Sequence, residues 1–307
     1  MNGEGIPVKI KEVLRHATAL LLDRQSTLTK LSEFGIGNIK NLEFCVLGEC
    51  SERESIVDGT EIYTQGDERG DVCAEIILGS LQYLRLHFMK NLRSIWKGPI
   101  QRGCLSKLKS LELHACPYLT TIFTLDLLQN LKILEELVVE RCPKINSMVT
   151  HEVPVGHRWF RRLTCLPKLK KLSLHYMPKL VSISSGVCIA PTFEWMSFYN
   201  CPSLQTLSDM EVSSNKLKVI IGQADWWRAL KWTTSAFGNV LPCTLDSIFV
   251  PIKQDIDLMT QLAEIGVQLL APKQKRKPSQ QSGCFSFLLL SRDRSDQCFI
   301  ILFRAGT

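Results

Sequence analysis

Little in this 307-residue chain marks it for export or for chemistry. It contains no N-x-[ST] sequon, the acceptor of N-linked glycosylation. None of its 12 cysteines forms a C-x-x-C pair and no cysteine cluster sits at either terminus, which argues against a disulfide framework and for buried thiols. The start, MNGEGIPVKIKEVLRHATALLLDRQ, has only a four-residue apolar run before Asp23, too short and too interrupted for a signal peptide. The late apolar runs CFSFLLL and CFIILF fall far short of the ~20 residues that span a bilayer. Neither a nucleophile elbow, a catalytic triad order, a paired-carboxylate motif nor a G-x-x-x-x-G-K-[ST] phosphate loop is present, so no enzyme and no cofactor are expected. The formal charge of +7 is spread over a long molecule; it favours solubility and acidic partners and does not imply nucleic-acid binding. An intracellular, reducing, cytoplasmic location follows from these absences.

What is present is a repeat. LKSLELHACPYL (108–119) places Leu first, fourth and sixth, then Cys-Pro, then Leu, and its echoes begin at Leu81, Leu134, Leu169 and Phe193. The steps between units are 27, 26, 35 and 24 residues, three of them within the leucine-rich period. Each unit supplies a short strand whose fourth and sixth residues point inward, and one unit cannot bury its apolar side alone. The expected fold is therefore α/β: a leucine-rich-repeat solenoid with a curved parallel sheet on its concave face and loops or short helices on its convex face.

Along the chain, residues 1–9 read as a disordered N-terminus and 10–225 as the solenoid. Ala17, Leu20 and Leu22 take the inward places of a degenerate first repeat, and Ile39, Leu42, Phe44 and Leu47 give the next. The polar stretch from Gly48 to Gly79 is expected to be a mobile loop. Leu125, Leu128 and Leu131 predict a short convex helix beginning near Thr124 or Asp126. Leu217, Ile220 and Gly222 begin a last repeat. Residues 226–265 are expected to cap the array, with Trp226, Trp227 and Trp232 sealing its open end rather than stacking a ligand, and with a helix over Asp255 to Ile265. Residues 266–307 read as a divergent, disordered tail; its basic run Lys273-Gln-Lys-Arg-Lys277 suits a solubilising segment better than a nuclear-import signal, which stays open.

The third, fifth and seventh strand places should line the concave sheet in three columns. The third reads Asn41, Tyr83, Ser110, Glu136, Lys171 and Trp195; the fifth Glu43, Arg85, Glu112, Val138, Ser173 and Ser197; the seventh Cys45, His87, His114, Glu140, His175 and Tyr199. Their mixture of aromatic, basic and acidic residues is that of a specific protein-binding face. His87, His114, Glu140 and His175 form a chemically credible zinc set, but sheet twist and the lack of a nameable second shell favour plain alignment, and no metal is assigned. Cys116, Cys142 and Cys201 occupy the ninth place, where a small thiol is expected to fill the turn and stay inert; Met89 and Met177 take the same place. Arg158, Arg161 and Arg162 around Trp159 and Phe160 read first as a solvated edge, then as a dock for a protein, and least as a nucleic-acid site.

The stretch IWKGPIQRGCLSKLKSLELHACPYLTTIFTLDLLQNLKILEELVVERCPKINSMV resembles the C-terminal repeats of plant intracellular disease-resistance proteins of the coiled-coil, nucleotide-binding, leucine-rich-repeat class. LSEFGIGNIKNLEFCVLGECSERESIVDG, LKVIIGQADWWRALKW and FVPIKQDIDLMTQLAE agree, so the likeness runs in order over about residues 10–265. The resemblance implies a sensor that binds a pathogen effector or a modified host protein and restrains a nucleotide-binding switch. With no phosphate loop here, the switch itself cannot be carried over, and a truncated or partial receptor is expected, one whose partner could be the nucleotide-binding domain of a receptor. Cysteine-containing repeats also occur in ubiquitin-ligase substrate adaptors; that alternative would need a helical adaptor-binding module, for which the ~10 residues before the first repeat leave no room.

Overall fold

The computed structural model describes residues 8–24, 29–60, 76–149, 164–183, 188–189, 192–208, 216–233, 245–252, 286–289 and 299–304. In chain order the first strands are β1 (Ala19–Asp23), β2 (Phe44–Gly48), β3 (Ser55–Asp58), β4 (Tyr83–His87), β5 (Ser94–Lys97) and β6 (Ser110–His114). There follow β7 (Glu136–Glu140), β8 (Thr164–Cys165), β9 (Lys171–His175), β10 (Cys188–Ile189), β11 (Trp195–Tyr199) and β12 (Thr206–Ser208). The last are β13 (Val219–Gly222), β14 (Lys231–Thr233), β15 (Phe249–Pro251), β16 (Ser286–Leu289) and β17 (Phe299–Arg304).

One eleven-stranded sheet dominates, in the order β15-β13-β11-β9-β7-β6-β4-β2-β1-β17-β16. From β1 to β15 every pairing is parallel, one strand per coil, as a leucine-rich-repeat solenoid requires. Further round the coils, β3 pairs with β5, β8 with β10 and β12 with β14, again in parallel. The helix Leu125–Asn130 begins where its spacing predicts: the Thr124 side chain accepts a hydrogen bond from the Leu127 N–H and caps it. No helix among the described residues is long and apolar enough to cross a membrane.

The apolar frame explains the stacking. The first, fourth and sixth places of the central repeats, such as Leu108, Leu111 and Leu113, are all buried in one continuous core. Burying each such side chain stabilises the fold by about 1.5–3 kcal/mol. The ninth place is a second buried spine of Cys50, Met89, Cys116, Cys142, Met177 and Cys201. In Cys50, Cys116, Cys142 and Cys201 the thiol donates to the carbonyl two residues back, at Gly48, His114, Glu140 and Tyr199. Burial pushes the Cys201 thiol up to about 11 and the Cys45 thiol up to about 12, while the neighbouring Cys116 thiol, aided by burial, pushes Cys142 up. Arg53 is the exception in this core: it is a fully buried guanidinium, and among the described residues no oxygen accepts from it, the Cys50 thiol being its polar neighbour. Burial lowers its pKa against the pull of the Cys50 and Cys45 thiols and of Glu33.

Several expectations need correction. In the second repeat β2 pairs Phe44 with Tyr83, so the frame starts at Leu42, with Cys45 and Leu47 inward; Asn41, Glu43 and Cys45 do not belong to the concave columns. The excursion after Gly48 is not loop throughout, since β3 lies within it; residues 61–75 are outside the described set. The N-terminal helix starts at Val8, inside the stretch expected to be disordered. The tail after 266 holds two strands, because the outer edge of β1 offers unpaired backbone groups and an apolar segment, 299–304, pairs with them. The helix expected over 255–265, the 158–162 cluster and the basic run 273–277 lie outside the described residues.

A left-handed residue follows each concave strand from β1 to β11. Arg24, Glu49, Phe88, Ala115, Arg141, Tyr176 and Asn200, the eighth place of successive repeats, all have φ between 49° and 55°. The first six donate their N–H groups to the seventh-place carbonyl of the next coil, as from Phe88 to His114 and from Ala115 to Glu140, and Asn200 donates to the side-chain Oε1 of Gln223. Relief of that conformation should outweigh the entropy of a glycine, so Ala115→Gly is expected to stabilise the protein by about 0.5–1 kcal/mol in urea unfolding. Leu111→Asp, which buries an unpaired charge in the core, is expected to cost more than ~4 kcal/mol by the same measurement.

Candidate functional site

Alternation along each strand sends the third, fifth and seventh places to the concave face. The observed register sets them side by side: Tyr83, Ser110, Glu136, Lys171 and Trp195; then Arg85, Glu112, Val138, Ser173 and Ser197; then His87, His114, Glu140, His175 and Tyr199. They border a groove of about 950 Å³ lined by Arg85, His87, Glu112, His114, Glu136, Glu140, Lys171, His175 and Trp195 among others. Tyr83, Ser110 and Tyr199 lie outside that lining. Ser110 is buried, with its hydroxyl toward Glu136 Oε2 at 3.5 Å, and Tyr83 stacks on Phe44 at 4.6 Å.

The charges of the groove are already paired. Arg85 binds Glu112, Lys171 Nζ lies 3.9 Å from Glu136, and His114 Nδ1 lies 3.2 Å from Glu140, which Arg141 also approaches at 3.5 Å. At the strand entrances a second ladder joins Lys170 to Glu135 at 3.0 Å and Lys218 to Glu194 at 2.9 Å. The Lys218 ammonium holds the Glu194 carboxyl below the usual range. Among the lining residues four Lys or Arg (85, 170, 171, 218) face four Glu (112, 136, 140, 194), so the groove is neutral apart from its histidines.

The four residues weighed as a zinc set separate into different partnerships. His175 is buried, and its Nε2 lies 2.8 Å from the Ser197 hydroxyl. His114 pairs with Glu140, and His87 sits in the notch left by Gly48, where a Cβ would overlap its ring and come 2.7 Å from Asp23 Oδ1. Desolvation lowers the His87 pKa against the attraction of Asp23. Among the described residues no group of three His, Cys, Asp or Glu is arranged to hold a metal.

Apolar residues that sequence reading missed flank this charged centre. On one side stand Phe44 and Val46, lost to the shifted frame although Leu42, Cys45, Leu47 and Cys50 keep the repeat spacing if cysteine is allowed at the fourth place. On the other, Val219, Ile221, Val250 and Ile252 cluster with Trp195, Tyr199 and Tyr176. Beyond them the array closes: Trp226 Nε1 donates to the Leu204 carbonyl at 2.8 Å, and Trp227 stacks on Phe249 at 4.4 Å.

Residues 18–143 match the family of plant disease resistance protein RPS2-like leucine-rich repeats. Over that segment the chain is similar to disease-resistance repeats. The matched segment runs from β1 through β7, and the parallel repeat register continues beyond it through β9, β11 and β13. A leucine-rich-repeat region of this kind is a protein-interaction region in plant defence. No curated protein matches the chain significantly.

The buried histidine gives the site a pH signature. Burial alone pushes the His175 pKa down to about 4 from an ordinary 6.5. The unfolded chain therefore binds more protons between those values, and stability is lost as pH falls from 6.5 toward 4. The loss should reach roughly 3 kcal/mol, and His175→Gln should flatten the slope in urea titrations run across that window.

Proposed function

We propose that the concave groove is the sensing surface of a cytoplasmic defence protein, one that recognises a pathogen effector or a modified host protein by binding and performs no chemistry. The observation that carries this reading is the placement of an amphipathic, charge-neutral groove on aligned columns of disease-resistance repeats, with aromatic and aliphatic clusters at both ends. A flat charged face would capture acidic or basic partners indiscriminately; here the lysines and arginines are held by glutamates, so apolar anchors must supply affinity and the paired charges orientation. Trp195 is the natural anchor, half-buried between Lys171 and Val219. No phosphate loop occurs in these 307 residues, so the switch lies outside them, and a nucleotide-binding domain is the partner that the family plan supplies.

Binding is tested by comparing concave and convex variants that fold alike. Trp195→Ala and Tyr83→Ala are expected to weaken capture of the recognised protein from infected plant tissue by about 30-fold, at unchanged circular dichroism. Tyr118→Ala, at an exposed position under Lys144, should leave capture intact. Equal losses from all three, or loss from Tyr118→Ala alone, would place the interaction elsewhere.

A further inference from the structure

A parallel solenoid has two open sheet edges, and this one treats them differently. At one end β15 is only three residues long and ends in Pro251, which has no N–H to offer a further strand. At the other end β1 is a full five-residue strand, Ala-Leu-Leu-Leu-Asp, which would present an unbroken backbone edge to solvent. That edge is closed by the C-terminal hairpin: β17 pairs antiparallel with β1 at all five positions, from Ala19 with Phe303 to Asp23 with Phe299, and β16 pairs in turn with β17. These two pairings are the antiparallel ones of the large sheet. The 33 residues between 252 and 286 reach ~109 Å when extended. The nine parallel strands are spaced ~4.8 Å apart and separate the two edges by ~38 Å, so the hairpin can come from its own chain.

We propose that the outer edge of β1 is a homotypic docking site, held closed by the hairpin and, once open, taken by β1 of a second copy. The geometry selects this occupant. A two-fold axis through a shared sheet edge necessarily sets the two edge strands antiparallel, which is the orientation β1 already accepts from β17. The same five residues serve both pairings, so hairpin and second copy exclude each other, and the closed form is monomeric. Pairing of β1 with β1 consumes both free edges and stops at the dimer.

The test uses the full-length chain carrying Ile300→Pro and Leu302→Pro, at the positions opposite Leu22 and Leu20. Near-ultraviolet circular dichroism reports whether Trp226 and Trp227 keep their packing at the far end; if they do not, the milder Ile301→Pro is used. The wild-type chain should sediment as a 34.8 kDa monomer, with slow hydrogen exchange at residues 19–23. The variant should lose that protection when dilute and recover it on concentration, as its mass doubles. A variant that stays monomeric with exposed β1 amides would refute the homotypic site, and open-ended assemblies would refute it equally. Unchanged protection in a monomeric variant would show that the hairpin does not close the edge.

Discussion

No coil of this protein can bury its own apolar side, so everything else depends on the joint that sets one coil on the next. That joint is the left-handed eighth residue, whose N–H reaches the seventh-place carbonyl of the following repeat. None of the residues that adopt it is glycine, and all but Asn200 pay the steric cost of a side chain there. The ladder of hydrogen bonds and the leucines beneath it offset that cost. Because the joint recurs in register, the columns above it line up, and the groove inherits its order from the core.

The core was legible in the sequence and the joint was not. Leucines at the first, fourth and sixth places state the inward face directly, and Thr124 states the start of its helix, because both depend on residue type. The eighth place carries Arg, Glu, Phe, Ala, Arg, Tyr and Asn, types with no common preference, so tertiary hydrogen bonding decides its conformation. The second repeat was misframed for a related reason: Cys45 stands where leucine was expected, and Phe44 looked like the inward residue although it stacks on Tyr83. The columns of the central repeats align as their spacing predicts, but pattern alone could not separate Ser110 and His175, which are buried, from Arg85, which is exposed.

The pairing of charges bears on recognition more than their number does. A partner approaching Lys171 or Arg85 must compete with Glu136 or Glu112 for them, so an isolated acidic group gains little by docking there. A partner that brings an apolar anchor to Trp195 meets a surface already free of uncompensated charge, and the energetic return is then desolvation. Such a face discriminates by shape. That suits a sensor, since a change of one residue in the partner can abolish the fit without any change in net charge.

The ends of the array complete the logic. A stacked solenoid does not terminate itself: each added coil satisfies the previous strand and exposes its own. Trp226, Trp227 and the short β15 end the series at one side with side-chain bulk and a proline. At β1 what ends the series is a strand of opposite direction. A further coil would have to set its strand parallel and directly on β1, and β17 already takes that place in the opposite direction. The hairpin therefore does more than cover backbone groups: it occupies the edge of β1 on which a further coil would stack, and it leaves clear the groove, which lies on the face and not on the edge.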